Sequence, residues 1–357
     1  MARVVGCAVL SVVTAACGAA SPSATRTPTG SASAGASSAP ATPTRATSTA
    51  PSSLGAAAPS RAASSARVTR THPGWALDRI DQRRRPLDGT YTTRSQGRGV
   101  TVYVVDGLFD PTNAEFGGRA SVGLRSGRHC VLESGIDHGL FVAGIVGGRR
   151  TGVAPAARLV SVGALAGCEG GSTDSSEAQR VARVVRALDW VATHARRPAV
   201  ANLSLNVPAP APTLRAAVAR VVRAGVTVVA AAGNGGVDAC RFPPAGLPSV
   251  VTVGGSTRLD REAGLNHGRC VDLLAPAEQV RSVISPALVP GRLVTSEETA
   301  TSWAAPFVSG AAALFLSAHP HAAPDRVRRW LLAHATTGAL RGPRHGSPDR
   351  LLFTGGL

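Results

Sequence analysis

The chain has 357 residues, room for two or three domains or for one large domain with appendages. Its 38 basic residues, every one an arginine, outnumber 21 acidic ones to give a net charge of +17. A hydrophobic content of 44% excludes wholesale disorder, and 40 glycines without a triplet period exclude collagen. The charge raises nucleic acid as a partner. However, the arginines are dispersed, no basic stripe is interleaved with aromatics, and aromatics make up only 4% of residues, which argues against that class.

The chain starts with a short basic stretch at Arg3, an apolar run over 4–13 and small residues up to Cys17. This order predicts an export signal, because the run is shorter than the roughly 20 apolar residues a membrane span needs. Ala15, Ala16, Cys17 and Gly18 resemble the end of a bacterial lipoprotein signal, with Thr14 where that class prefers Leu. The expectation is a signal over 1–17, with Cys17 as a possible lipidated residue. Residues 18–71 are Ala, Ser, Thr and Pro with scattered Arg, without an aromatic and with Leu54 as the one leucine. Such a segment buries too little apolar surface to offset its ordering entropy, and reads as a solvated linker.

From about Trp75 the composition changes. β-Branched runs at 99–105 and 157–162 and apolar runs at 198–205, 226–232 and 250–253 predict strands. Between them, 175–195 places Val181, Val184, Val185, Leu188 and Val191 at helical spacing; 214–224 and the long apolar run 301–318 also read as helices. Strand–helix alternation predicts an α/β fold of three layers, a mainly parallel sheet with helices on both faces, over 72–357. In such sheets the chemistry lies at the carboxyl ends of the strands.

Three segments carry residues suited to nucleophilic catalysis. Asp106 ends the first long strand, His138 opens a small-residue helix start (His138, Gly139, then Ala143 and Gly144), and Ser302 stands at the start of the apolar helix. A serine hydroxyl needs a neutral imidazole to take its proton, and the imidazole needs a carboxylate to fix its tautomer. A helix N-terminus offers free N–H groups to a developing oxyanion. Asn234, in a glycine-rich loop after a buried strand, can donate a second such bond. Each fragment alone is weak; the order Asp, His, Ser on separate element ends is specific.

With these motifs the chain resembles the subtilisin family of serine proteases, in its proteinase K-like and aqualysin-like branch. Further matching runs lie at 75–82, 113–119, 188–192, 197–205 and 346–352, so the resemblance covers about 73–353. It implies a subtilisin-like fold, an Asp106–His138–Ser302 triad, Asn234 in the oxyanion site, and monomeric action on polypeptide substrates. It further implies substrate binding along Ser204, Leu205 and Asn206, with Ala231, Ala232 and Gly233 as the facing pocket wall. Pro248, Val250 and Asp272 match a calcium site of two carbonyls and a carboxylate, hard oxygen ligands that suit Ca²⁺.

The leader takes Cys7 and Cys17. The remaining four cysteines, Cys130, Cys168, Cys240 and Cys270, allow three pairings and lack zinc-site spacing. The resemblance implies Cys130–Cys168 and Cys240–Cys270, which fits an exported protein, extracellular or attached to the cell envelope.

Departures surround the matched residues. Gly107 stands where the family has Thr, Asp137 where Gly is usual before the His, Leu140 and Phe141 in place of Thr-His, and Ala300 and Trp303 in place of Gly and Met around the Ser. Phe307 replaces a His, and Asn206 replaces a Gly on the substrate strand. They leave a second reading open: a catalytically weak relative that binds peptides or cell-wall partners.

Overall fold

The computed structural model describes residues 67–357 except 169–175, 209, 286–290 and 343. The signal and Cys17 lie outside the described residues, as does the linker up to residue 66. The strands are β1 (Val68–Thr71), β2 (Thr90–Thr93), β3 (Thr101–Asp106), β4 (Ala120–Leu124), β5 (Arg158–Gly163), β6 (Ala199–Leu203), β7 (Thr227–Ala231), β8 (Val250–Ser256), β9 (Leu273–Pro276), β10 (Arg281–Val283) and β11 (Leu293–Thr295). The helices are α1 (Trp75–Ile80), α2 (His138–Gly147), α3 (Glu177–His194), α4 (Pro212–Arg223), α5 (Thr301–Ala318) and α6 (Pro324–His334).

Seven strands form a parallel sheet in the order β4-β5-β3-β6-β7-β8-β9. Because both faces of the central strands are covered, their sequences read as largely apolar runs rich in Val and Ala. Alternation then divides each strand between two cores. Val102 and Val104 of β3 pack with α2 and α5, while Tyr103 and Val105 pack with α3 and α4. The fold is therefore the expected three-layer α/β arrangement. The antiparallel hairpin β10–β11 is tied to α2, where the Ser282 hydroxyl donates to Phe141 O at 2.7 Å.

The linker boundary at residue 71 is corrected. Residues 68–71 are strand β1, paired antiparallel with β2. The run Val-Thr-Arg-Thr lacks an apolar signature; partners elsewhere in the chain hold it instead. Arg70 donates to Gly152 O at 2.6 Å and lies over the Tyr91 ring.

Two cysteine pairs close loops, Cys130 with Cys168 and Cys240 with Cys270, with Cα atoms 4.7 and 5.3 Å apart.

Asp81, just after α1, accepts the Thr92 amide at 2.7 Å with one oxygen, and its other oxygen is buried with no partner among the described residues. Burial chiefly, reinforced by the charges of Asp88 and Asp78, pushes its pKa up to about 7 against the Thr92 hydrogen bond. A carboxyl whose folded pKa exceeds its unfolded value of about 4 keeps its proton longer in the native state, so stability falls as pH rises between the two. We expect Asp81→Asn, which keeps the acceptor and loses the charge, to flatten the decline of Tm between about pH 5 and pH 8 by this linkage. Parallel Tm–pH curves for the two proteins would contradict it.

Candidate active site

Asp106, the last residue of β3, is completely buried. Its Oδ1 accepts the Gly107 amide at 2.6 Å and His138 Nδ1 at 2.8 Å, while Oδ2 has no partner among the described residues. An ionised carboxylate only accepts, so Nδ1 carries the proton and Nε2 keeps its lone pair.

Two close approaches make this geometry possible. A Cβ on Gly139 would collide with the Gly107 carbonyl, so glycine lets α2 start directly against the strand end. A Cβ on Gly107 would lie 2.7 Å from Cys130 Cβ and 2.9 Å from Cys130 N. The threonine usual in the family has no room there, because the cysteine loop occupies that space.

His138 is the first residue of α2. Asp137 caps this helix, accepting the Leu140 amide at 3.2 Å through Oδ1 and pairing through Oδ2 with His129 Nδ1 at 2.6 Å. Burial pushes the Asp137 pKa up, opposed by these bonds. For His138, burial lowers the imidazole pKa most, yet the Asp106 charge and hydrogen bond, with Asp137 and Glu298, outweigh it, and the net shift is upward.

Ser302 stands in the first turn of α5. Its hydroxyl donates to Ser204 O at 3.2 Å, and among the described residues it makes no bond to His138. In return the Ser204 hydroxyl donates to Ser302 O at 2.9 Å. A buried chain continues from there: Asn202 Nδ2 donates to the Ser204 hydroxyl at 3.0 Å, and Ser309 donates to Asn202 Oδ1 at 2.8 Å. This chain clamps α5 to the end of β6.

Asn234 follows β7. Its Oδ1 accepts both the amide and the hydroxyl of Thr301, each at 2.9 Å. Since an amide N–H only donates, the bonded atom is the oxygen, and Nδ2 is left as a free donor. The Ser302 amide also has no partner among the described residues. Thus two donors, one side chain and one at a helix N-terminus, flank Ser302.

Sequence reasoning missed Thr301 and Asn266. Asn266 Nδ2 donates to Ala232 O at 2.9 Å, and its Oδ1 accepts the Gly235 and Val237 amides at 2.8 and 3.2 Å, pinning the loop that carries Asn234. Nothing local in the sequence marks either residue, because both act across the sheet.

The anticipated substrate walls face each other. Gly233 has φ of +105°, and a Cβ there would lie 2.6 Å from Asn206 Nδ2, so the Asn206 side chain reaches from one wall to the other.

Ala300 has φ −149° and ψ 141°, extended backbone that needs no glycine. Trp303 is buried, its ring 4.5 Å from Phe141 and 5.1 Å from the His138 ring. It fills core beneath the imidazole rather than the cleft, and Leu140 and Phe307 are buried too.

Pro248 precedes β8, Val250 opens it, and Asp272 stands just before β9, its amide donating to Thr252 O at 2.9 Å. However, Asp272 Oδ1 is held by Arg328 Nη2 at 2.5 Å and Oδ2 by the Thr252 amide at 2.9 Å. A guanidinium already neutralises the one carboxylate. As these side chains lie, the donor set does not fit Ca²⁺. With Arg328 in this place, any effect of EDTA on Tm should be the same in the wild type and in Asp272→Asn; a smaller effect in Asp272→Asn would show that a cation displaces the guanidinium.

Fold and geometry together define an α/β protein with a histidine hydrogen-bonded to a buried carboxylate at the end of a parallel strand. The chain belongs to the subtilase family: the Subtilase family model (Peptidase_S8) matches residues 97–350. It is 41% identical over 286 residues to an extracellular serine proteinase of Thermus sp. (strain Rt41A), covering 78% of this chain and 66% of that protein. It is 38% identical over 292 residues to alkaline serine exoprotease A of Vibrio alginolyticus, covering 81% and 52%. The chain thus spans between half and two thirds of the lengths of these two relatives. A solved cold adapted subtilisin-like serine proteinase superposes with a TM-score of 0.71 at 36% identity, covering 80% of this chain and 99% of that one.

The raised imidazole pKa is directly measurable. An NMR titration should place His138 above the ordinary value of about 6.5. Asp137→Asn, which keeps the cap and removes a nearby negative charge, should lower it. An unmoved titration would show that Asp137's charge is not felt at the ring.

Proposed function

We propose that the protein is an exported serine endopeptidase that hydrolyses polypeptides through Asp106, His138 and Ser302. The observation that carries this reading is the 2.8 Å bond from His138 to the buried Asp106, which leaves Nε2 as a base on a ring 5.1 Å from that of Trp303 in the first turn of α5. On rotation of χ1 away from Ser204 O, the Ser302 hydroxyl gives its proton to Nε2 as Oγ attacks the scissile carbonyl. Asp106 holds the ring and stabilises the imidazolium. The tetrahedral oxyanion takes hydrogen bonds from the Ser302 amide and Asn234 Nδ2. The imidazolium then protonates the departing amine, and water repeats the cycle to release the acyl group. The substrate backbone lies along Ser204, Leu205 and Asn206 as an added strand, facing Ala231, Ala232 and Gly233.

The two disulfide loops and the extracellular Thermus relative support export. A signal ending near Cys17, lipidation there and a linker up to the folded region from β1 onward complete the proposed layout. Structural calcium, common among subtilases, enters no step. The alternative of a weak binding protein gains nothing from Ala300, which is extended, or from Leu140 and Trp303, which are buried; it keeps Asn206, whose side chain approaches Gly233 on the facing wall.

A fluorophosphonate probe should label Ser302. Ser302→Ala should abolish labelling, His138→Ala should reduce it strongly, and Asn234→Ala should lower kcat on a peptide substrate roughly 10²–10³-fold. A folded wild type that stays unlabelled would end the proposal.

A further inference from the structure

The run Arg83, Arg84, Arg85 takes no part in the proposed chemistry. Together with Arg79 and Arg341 it lines a cavity of about 700 Å³. No residue of the proposed catalytic set lines this cavity. Its walls come from the end of α1 and the segment after it, from Asp260 beyond β8, and from the segment after α6, which are distant in sequence.

The charges there are unbalanced. One carboxylate, Asp260, serves two of the five guanidiniums: Arg79 Nε lies 2.7 Å from Oδ1 and Arg85 Nε 3.0 Å from Oδ2. Arg83 is occupied by carbonyls, donating to His334 O at 3.2 Å and Ala335 O at 3.4 Å, with its guanidinium over the Phe353 ring. Arg84 and Arg341 are exposed, and their side chains have neither an ion pair nor a hydrogen bond to another described residue. Like charges gathered around one cavity repel, so the arrangement is incomplete without an anion.

A second observation is independent of the arginines. Thr336 lines the same cavity, is 4% exposed, and its Oγ1 is buried with no partner among the described residues. Buried hydroxyls are nearly always hydrogen-bonded. Guanidinium forks beside a hydroxyl form a donor set matched to tetrahedral oxyanions, which accept several charge-assisted bonds at once.

We propose that this cavity binds a phosphate group, either free orthophosphate or the terminal phosphate of a small molecule, with Arg84 and Arg341 as the uncommitted cations and Thr336 as the hydroxyl donor. The volume exceeds that of one phosphate and leaves space for an organic remainder. A ligand seated there bridges the two chain segments and, by binding only the native state, stabilises it by mass action. The inference does not depend on the proposed peptidase activity.

The test uses the full chain carrying Ser302→Ala, which prevents self-cleavage. Inorganic phosphate should raise Tm by a few degrees over chloride at matched ionic strength, and titration calorimetry should give a saturable site. The pair Arg84→Ser with Arg341→Ser should weaken phosphate binding at least about ten-fold, as expected when charge-assisted bonds are lost. Thr336→Val should weaken it several-fold. The pair Arg215→Ser with Arg223→Ser, which removes two exposed charges from α4, should leave it unchanged. Equal responses to orthophosphate and glycerol 3-phosphate would assign a terminal phosphate, and a response to orthophosphate alone the free ion. No shift beyond that of chloride, or an undiminished shift in the Arg84 and Arg341 variant, would overturn the proposal.

Discussion

The site depends on the burial of one carboxylate. Asp106 has no solvent exposure and few partners, so its charge has to be stabilised by what the fold brings to it. The nearest donors are the amide of the next residue, Gly107, and the His138 ring, and the ring does not arrive without a close approach of α2 to the end of β3. That approach needs glycine at 139, where any side chain would strike the Gly107 carbonyl. It also needs the helix start to be fixed, which Asp137 does by capping. A parallel sheet supplies the rest, since each strand delivers its carboxyl end to the same edge, where α5 presents Ser302 and the loop after β7 presents Asn234.

Around this point the departures from the family act together. Leu140, Phe141, Trp303 and Phe307 replace polar or flexible residues with larger apolar ones, and all four are buried. Trp303 packs against Phe141 and against the His138 ring, so the imidazole rests on an aromatic surface instead of a thioether. Swaps toward bulk are tolerated in a core only when neighbours change with them. The cost left over is the Trp303 indole N–H, which is buried and has no partner among the described residues. Gly107 fits the same account: it gives up a side chain so that Cys130, with its bond to Cys168, can sit against the strand end.

What could be read from the chain follows physical rules. Strands β3, β6 and β7 were legible because burial on both faces forces largely apolar runs rich in Val and Ala. Strand β4 was not: it lies at the sheet edge, only partly buried, and its register shifts between Val122 and Leu124. Strand β1 was assigned to the linker because its polar residues are held by partners far along the chain. Helix α6 was missed although Pro324 stands at its first turn, a position proline favours. Among the candidate site residues, Asp106 and His138 sit in local motifs, and the structure brings these two into a hydrogen bond; Ser302 also sits in a local motif. Thr301 and Asn266 were not legible, because their value comes from bonds to the Asn234 loop that only the assembled sheet creates.

The same distinction explains the charge. In linear order the arginines look dispersed, and this removed nucleic acid from consideration. In space many are committed singly: Arg328 holds Asp272, Arg150 holds Glu115, and Arg220 holds Asp189. Such pairs neutralise local carboxylates and leave little net field. The segments after α1 and α6 break this pattern, since folding gathers five guanidiniums around one carboxylate there. A chain average of +17 cannot distinguish these two situations, because it counts charges without their partners. What matters physically is the local excess after pairing, and among the arginines discussed here that excess lies at the cavity shared by the two ends of the folded region.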